Sequence, residues 1–533
     1  MNFISMPLKH KPVVLIILDG FGIASPSDSN AIWTAKTPYF DKMTKYCPTM
    51  LLEASSLNVG LPTGEVGNSE VGHMNIGSGI LIYQSLPRID RSIEDGALFK
   101  LKPLLGAAQR VKNNNSKLHL MGLIGSGGIH SHSRHLNALI DFCKNSGLEK
   151  VFLHLFLDGR DTEKDAGKRF MQELLDYCKK QKVGKVASVC GRKIAMDRNN
   201  NWKKIESAYN AIVRGQAQNT HSDPLKAIEE SYANTVFDES FEPTVITENG
   251  APVATIEKND AVIFFNFRAD RARQLTEAFV EPKFKKFNRE LLGGLYFVTM
   301  AEYKKGLPVQ VLFPPIVVKN PLAKVVSDSG LKQLHVAETE KYAHITFFIN
   351  GLTEEKFPNE ERVLIPSPPV PTYDQKPEMS AKELTDVIVK SIKESKHDFI
   401  FVNYANPDMI GHTGNLLASI KAVEFMDKCL SRVVNIAVNA GGMVFVVSDH
   451  GNAEELIKLE TGKIDKEHSV YPVPFIAVNK SLIGRPMQEL INGDLSLFTP
   501  MGLLADVTPT ILRSVGLELA PEMTGTNLLE YLE

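Results

Sequence analysis

Short, unbroken apolar runs that stop abruptly at acids, imidazoles or glycines constrain this chain more than any other feature. They lie at residues 13–18, 118–124, 151–157, 185–189, 261–265, 399–402 and 443–447. A strand with one wet face alternates apolar and polar residues. These runs do not alternate, so they read as strands buried on both faces. Helical patterns separate them. In "SAKELTDVIVKSI" the spacing predicts a capping box of Ser380 and Glu383, with Leu384, Val387, Ile388 and Ile392 on one face. Asp223 and Pro224 predict a helix start, and Thr508 and Pro509 predict another. Strands alternating with helices imply an α/β architecture with mainly parallel sheets.

A chain of 533 residues is too long for one ordinary core, so two domains are expected. Parallel sheets bind ligands beyond the carboxyl ends of their strands. The polar residues found there fall into a set near the two chain ends and an Arg-rich set in the middle. The expectation is a discontinuous domain, 1–83 and 316–533, with a second domain, 84–315, inserted into it. Residues 83–90 and 311–321 are the crossing points, each stiffened by proline.

With 60 basic against 62 acidic residues, no overall field favours nucleic acid or an anionic membrane. The five cysteines are scattered and lack C-x-x-C spacing, which fits a reducing compartment rather than a disulfide or thiolate framework. The opening "MNFISMPLKHKP" has no long apolar core of a secretory signal, and no apolar run is long enough to span a bilayer. A cytoplasmic protein is expected. No apolar surface stripe is evident, which favours a monomer.

Asp19 closes the first run in "LIILDGFG". "NPDMIGH" places Asp408 and His412 four apart, on one face if that turn is helical. Asp449 and His450 end the run "VFVVSDHGN", and "EHSVYPVP" adds His468. Three carboxylates and three imidazoles exceed the needs of one tetrahedral zinc. They suit two divalent cations of the Mn²⁺, Zn²⁺ or Mg²⁺ kind. Two such ions flanking a hydroxyl make a phosphoryl-transfer device. The candidate hydroxyl is Ser69 in "PTGEVGNSEVGHMNIGSG", where a helix can begin and hold phosphate on its free N–H groups. The same serine also reads as a plain helix cap, and the residues alone leave both readings open.

The middle set comprises His130 in "SGGIHSHSRH", Arg160 and Asp161 in "FLDGRDT", Arg192 and Arg198 in "CGRKIAMDR", and Arg268 and Arg271 in "FNFRADRAR". Arginine's planar fork suits carboxylate and phosphate. The alternative is a set of surface arginines with local ion pairs.

Taken in order, "LDGFG", "GEVGNSEVGHMNIGSG", "GGIHSH", "DGRDT", "NFRADRAR", "ETEKYAHITFFINGL", "NPDMIGHTG", "SDHGN" and "EHS" resemble cofactor-independent phosphoglycerate mutase over essentially the whole chain. The terminal motifs alone would place it only in the wider alkaline-phosphatase-like superfamily. The resemblance implies an isomerase of glycolysis and gluconeogenesis that interconverts 3- and 2-phosphoglycerate through a phosphoserine. It implies an alkaline-phosphatase-like three-layer α/β domain with a smaller inserted α/β domain. It further implies Ser69 as nucleophile and ligand of one metal with Asp19, Asp449 and His450. Asp408, His412 and His468 would hold the second. The family uses Mn²⁺ or Mg²⁺, and three imidazoles lean towards Mn²⁺. Arg192 and Arg198 would face the substrate carboxylate, and Arg268, Arg271 and Lys341 the phosphate. His130 would join this substrate set. Arg160 and Asp161 would hold the glycerate hydroxyls, with Asp161 as general acid and base. Leu352 stands where many relatives have glycine.

Overall fold

The structure, a computed structural model, describes residues 8–458 and 461–530. The start of the N-terminal stretch read above, residues 1–7, lies outside them. The described chain forms two compact units: one runs up to Gln84 and resumes at Ile316, and the other is Ser85–Pro315.

The discontinuous unit is built on an eight-stranded sheet. Its centre is Val13–Leu18, paired in parallel with Phe399–Tyr404 on one side and Met443–Val447 on the other. Gln333–Glu338 adds in parallel beyond Phe399–Tyr404. On the other side Val473–Val478 runs antiparallel to both Met443–Val447 and Thr49–Glu53, and the edges are Gly502–Leu503 and Glu360–Ile365. The absence of alternation in the sequence has a direct cause. Val14, Ile16 and Leu18 feed one core, shared with the long helix Leu416–Asn439. Val13, Leu15 and Ile17 feed another, shared with Val71 and Ile76 of the helix Ser69–Ser78. Each fully buried Val, Leu or Ile contributes about 1.5–3 kcal/mol, so both faces of the strand must be apolar.

The Ser85–Pro315 unit repeats the scheme. Its central strands lie in the order Ala261–Phe264, Leu118–Leu123, Val151–Leu157 and Lys185–Gly191, all parallel. Leu118 and Leu120 enter one core, Met121 and Leu123 the other.

Local signals failed where tertiary contacts outbid them. Ser380 precedes the helix Ala381–Lys393, but its side chain caps nothing. Its hydroxyl donates to the Pro366 carbonyl at 2.8 Å, so the expected capping box is absent. The last helix begins at Val507 rather than after Thr508. The Thr508 hydroxyl donates instead to the Ile76 carbonyl at 2.6 Å. Pro509 is tolerated because first-turn N–H groups have no helical acceptor. Residues 83–90 are not simply a linker: Ser85–Glu94 is a helix with Pro87 in its first turn. Two strands run past their apolar runs, Lys185–Gly191 and Phe399–Tyr404; in the second, polar Asn403 is buried in the site below. Asp223 caps Pro224–Ala233 as expected, accepting from Leu225 N at 2.9 Å. Leu352 takes a left-handed φ of 67°, a conformation that glycine adopts without strain.

Candidate active site

Four adjacent parallel strands of the first unit deliver their carboxyl ends to one place. Asp19 follows Val13–Leu18, and its N–H donates to the Tyr404 carbonyl at 3.1 Å. Asp408 sits in the short helix Asn406–Gly411 after Phe399–Tyr404. Asp449 and His450 follow Met443–Val447, and Lys341 ends the turn after Gln333–Glu338. All five side chains are buried.

Ser69 opens the helix Ser69–Ser78, but it does not cap it. Asn68 does, accepting from Val71 N at 3.0 Å. The serine hydroxyl is therefore free for other partners. Lys341 Nζ donates to Ser69 Oγ at 2.8 Å, to Asp19 Oδ1 at 2.6 Å and to Asp408 Oδ2 at 2.6 Å. His450 Nε2 lies 2.9 Å from the same Oγ. The helix can come this close because residue 72 is glycine: a Cβ there would meet the Asp449 carbonyl oxygen at 2.5 Å.

The electrostatics follow from burial. Burial opposes ionisation of Asp19, but the Lys341 ammonium and the His450 contact hold its carboxyl well below the usual range. Asp408 is likewise held low by Lys341, His412 and His468 against burial. Burial works against the charge on Lys341, yet Asp19, Asp408 and Asp449 keep it protonated. His450 is pushed up to about 9: burial disfavours its charge, but Asp449, Asp19 and Asp408 surround it.

His412 and His468 complete a second cluster. Both Nε2 atoms lie 3.2 Å from Asp408 Oδ1 and 3.1 Å from each other. Each Nδ1–H donates to a backbone carbonyl, His412 to Lys466 at 2.7 Å and His468 to Gly67 at 2.8 Å. Those bonds fix the tautomers and aim both Nε2 lone pairs at one point.

The donor set fits divalent cations. Asp408, His412 and His468 offer ligand atoms within 4.8 Å of one another, as do Asp19, Asp408 and His450. Asp449 Oδ2 is buried without a hydrogen bond, 3.1 Å from His73 Nδ1. Three buried carboxylates face one ammonium, so the cluster calls for further positive charge.

In the second unit, His130, Arg160, Asp161, Arg192, Arg198, Arg268 and Arg271 all follow the four central parallel strands. Arg192 is 2 % exposed; its Nη1 donates to Asp158 and, at 2.6 Å, to Asp161 Oδ2, while Nε is buried without a partner. Arg198 and Arg268 meet on Asp270, at 3.0 and 3.3 Å. His130 Nδ1 lies 3.7 Å from the same carboxylate. Burial and then Arg192 push His130 down to about 4, so it is neutral. Arg271 donates to the Met196 carbonyl at 3.1 Å, and Arg160 lies 3.7 Å from Glu239.

Sequence reasoning overlooked several members of these clusters. Asn403 Nδ2 donates to Asp19 Oδ2 at 2.7 Å and reaches His73 Nε2 at 3.0 Å. Asn452 Nδ2 donates to Asp408 Oδ1 at 2.9 Å. Asp158 and Asp270 neutralise the arginines. Asn403 interrupts an apolar run, which was a legible signal; the others sit among ordinary loop residues and gave none.

Acids and imidazoles at the carboxyl ends of a mainly parallel sheet, gathered round a serine at a helix start, define an alkaline-phosphatase-like α/β enzyme of phosphoryl transfer. Residues 89–305 match the family model described as the BPG-independent PGAM N-terminus. A Clostridium novyi protein named 2,3-bisphosphoglycerate-independent phosphoglycerate mutase is 49 % identical over 98 % of this chain and 100 % of its own. One of the same name from Chloroflexus aurantiacus is 48 % identical, over 98 % and 99 %. A solved phosphoglycerate mutase from Leishmania mexicana is 28 % identical, with a TM-score of 0.52, covering 98 % of this chain and 99 % of its own. The chain belongs to the 2,3-bisphosphoglycerate-independent phosphoglycerate mutases.

Proposed function

We propose that this chain interconverts 3-phosphoglycerate and 2-phosphoglycerate, with Ser69 carrying the phosphoryl group between them. The observation that supports this best is the Ser69 hydroxyl, freed from capping by Asn68 and held by Lys341 and His450 above Asp19. The Lys341 ammonium donating to this oxygen favours its alkoxide. Ser69, its proton already given to solvent, attacks phosphorus as the alkoxide, and the ester bond to the glycerate oxygen breaks. Asp161 enters protonated and gives that oxygen its proton, then takes one from the neighbouring hydroxyl, which attacks the phosphoserine and expels the Ser69 alkoxide. Asp19, Ser69, Asp449 and His450 would hold one divalent cation, and Asp408, His412 and His468 a second; imidazole ligands favour Mn²⁺ over Mg²⁺. When bound, these ions neutralise phosphate charge and lower the pKa of the coordinated hydroxyl.

Phosphoester cleavage alone would make a phosphatase. Retaining glycerate during the phosphoserine stage needs anion-binding groups away from phosphorus. The second unit supplies them: Arg192, Arg198, Arg268 and Arg271 for the anions, with His130, Arg160 and Asp161 for the hydroxyls. The unpartnered Arg192 Nε supports a ligand there. We place the enzyme in the cytoplasm as a monomer. Its five cysteines are free and buried, and no described helix is long and apolar enough to cross a membrane. The deciding assay gives pure protein 3-phosphoglycerate and Mn²⁺ without bisphosphoglycerate. The expected product is 2-phosphoglycerate; inorganic phosphate in its place would indicate a phosphatase.

A further inference from the structure

Glu454 belongs to neither set above, yet it is 2 % exposed and hydrogen-bonded on both oxygens. Oε2 accepts from Gly22 N at 3.0 Å and from Asn452 N at 2.9 Å. Oε1 accepts from the Ser469 hydroxyl. Gly22 lies on the loop that leaves Asp19, and Asn452 on the loop that leaves Asp449 and His450. Ser469 is the neighbour of His468. Asn452 in turn reaches Asp408 Oδ1 with its side chain. One carboxylate is therefore bonded to three loops that together bear four of the proposed metal ligands, and through Asn452 it is linked to a fifth, Asp408.

The surrounding backbone is cut to fit this side chain. Ala453 N donates to the Gly20 carbonyl at 3.0 Å, and Ser469 N to the Gly451 carbonyl at 3.0 Å. A Cβ at residue 22 would collide with the Glu454 carboxylate, and one at residue 451 would collide with Glu454 Oε1 and the Ser469 hydroxyl. Gly22 of "LDGFG" and Gly451 of "SDHGN" thus make room for the same carboxylate. Neither needs a left-handed backbone, since neither has a positive φ.

We infer that Glu454 is a positioning residue of the metal centre, which sets the spacing of the Asp19, Asp449–His450 and His468 loops through its hydrogen bonds. The inference rests on the two-metal reading above. Groups that orient metal ligands typically govern affinity by ten- to a hundredfold. The role depends on acceptor geometry, not on charge. A glutamine can reproduce it: its amide oxygen can accept both backbone N–H groups, and its NH₂ can donate to the Ser469 oxygen.

The test is Mn²⁺ titration of the cation-stripped full chain by calorimetry, with hydrogen exchange read at the Gly22 and Asn452 amides. Glu454→Ala should bind Mn²⁺ at least about tenfold more weakly and exchange those amides faster. Glu454→Gln should stay within about threefold of wild type, because its hydrogen bonds survive. If Glu454→Ala fails to fold, Gly22→Ala carries the test, since its methyl strikes the same carboxylate; it too must weaken Mn²⁺ uptake. Wild-type affinity in whichever of these variants is measured overturns the inference and leaves the metal reading standing. Glu454→Gln as weak as Glu454→Ala overturns it as well, because charge rather than geometry would then matter. A wild-type chain that takes up no Mn²⁺ overturns the metal reading and this inference with it.

Discussion

Arg192→Met tests whether the second unit's charges are a built site or ordinary surface pairs. Methionine keeps much of the arginine's length and removes only the guanidinium. In the wild type that group lies between Asp158, 3 % exposed, and Asp161. Without it, Asp158 keeps two backbone donors, Arg160 N at 3.3 Å and Asp161 N at 3.1 Å. Breaking a buried pair on one side costs about 3–5 kcal/mol. The remaining N–H bonds, and the partly exposed side chain of Asp161, put the loss near the lower bound. For a unit of this size, about 3 kcal/mol lowers the midpoint by roughly 6–12 °C. Calorimetry of the full chain at neutral pH measures it. Arg192→Met combined with Asp158→Asn should recover at least about half the loss, because no uncompensated buried charge remains. A single variant melting within about 2 °C of wild type, or a double variant no better than the single, would refute the argument.

Ser69→Ala should abolish turnover while leaving the helix start intact, since Asn68 is the cap; a tenth of the wild-type rate, measured with 3-phosphoglycerate, would remove the serine from the nucleophile role. Arg198→Ala loses a charge-assisted bond worth about 1.5–3 kcal/mol, so it should slow the reaction and raise the ratio of inorganic phosphate to 2-phosphoglycerate, while Asp161→Asn should bind substrate and barely turn over. Chelator-treated protein should be inactive and recover with Mn²⁺, with elemental analysis finding about two ions per chain. His119 and His154 are buried in series, linked at 3.0 Å, and burial pushes both below the ordinary imidazole value of 6.5. The unfolded chain therefore binds more protons in acid. The stability they contribute is full above about pH 6.5 and falls as pH drops below it; urea titrations from pH 7.5 to 5 should show this, and a flat profile would contradict it.

Much of the centre could be read without coordinates because its signals are local. An apolar run announces a buried strand by its own composition, and the first polar residue beyond it marks the strand's carboxyl end. Asp19 and Asp449 were placed at strand ends in this way, and Asp408 and His412 on one turn by helical spacing. The same locality misled at Ser380 and Thr508. Their neighbours satisfy the pattern of a helix start, but each hydroxyl bonds to a distant carbonyl that no short window contains.

The sequence by itself determined the strand and helix order, the burial of both sheet faces, and which acids, imidazoles and arginines follow strands. Those properties depend on side-chain type and on separations of a few residues. Tertiary structure alone decided which of those groups meet and what they do there. Gly22 and Glu454 are 432 residues apart, and Lys341 and Asp19 are 322 apart. Ser69 is a free hydroxyl rather than a cap because Asn68, one residue earlier, takes the capping bond. A hydrogen bond forms over about 3 Å whatever the separation along the chain, so only the folded path of the backbone brings such partners into range.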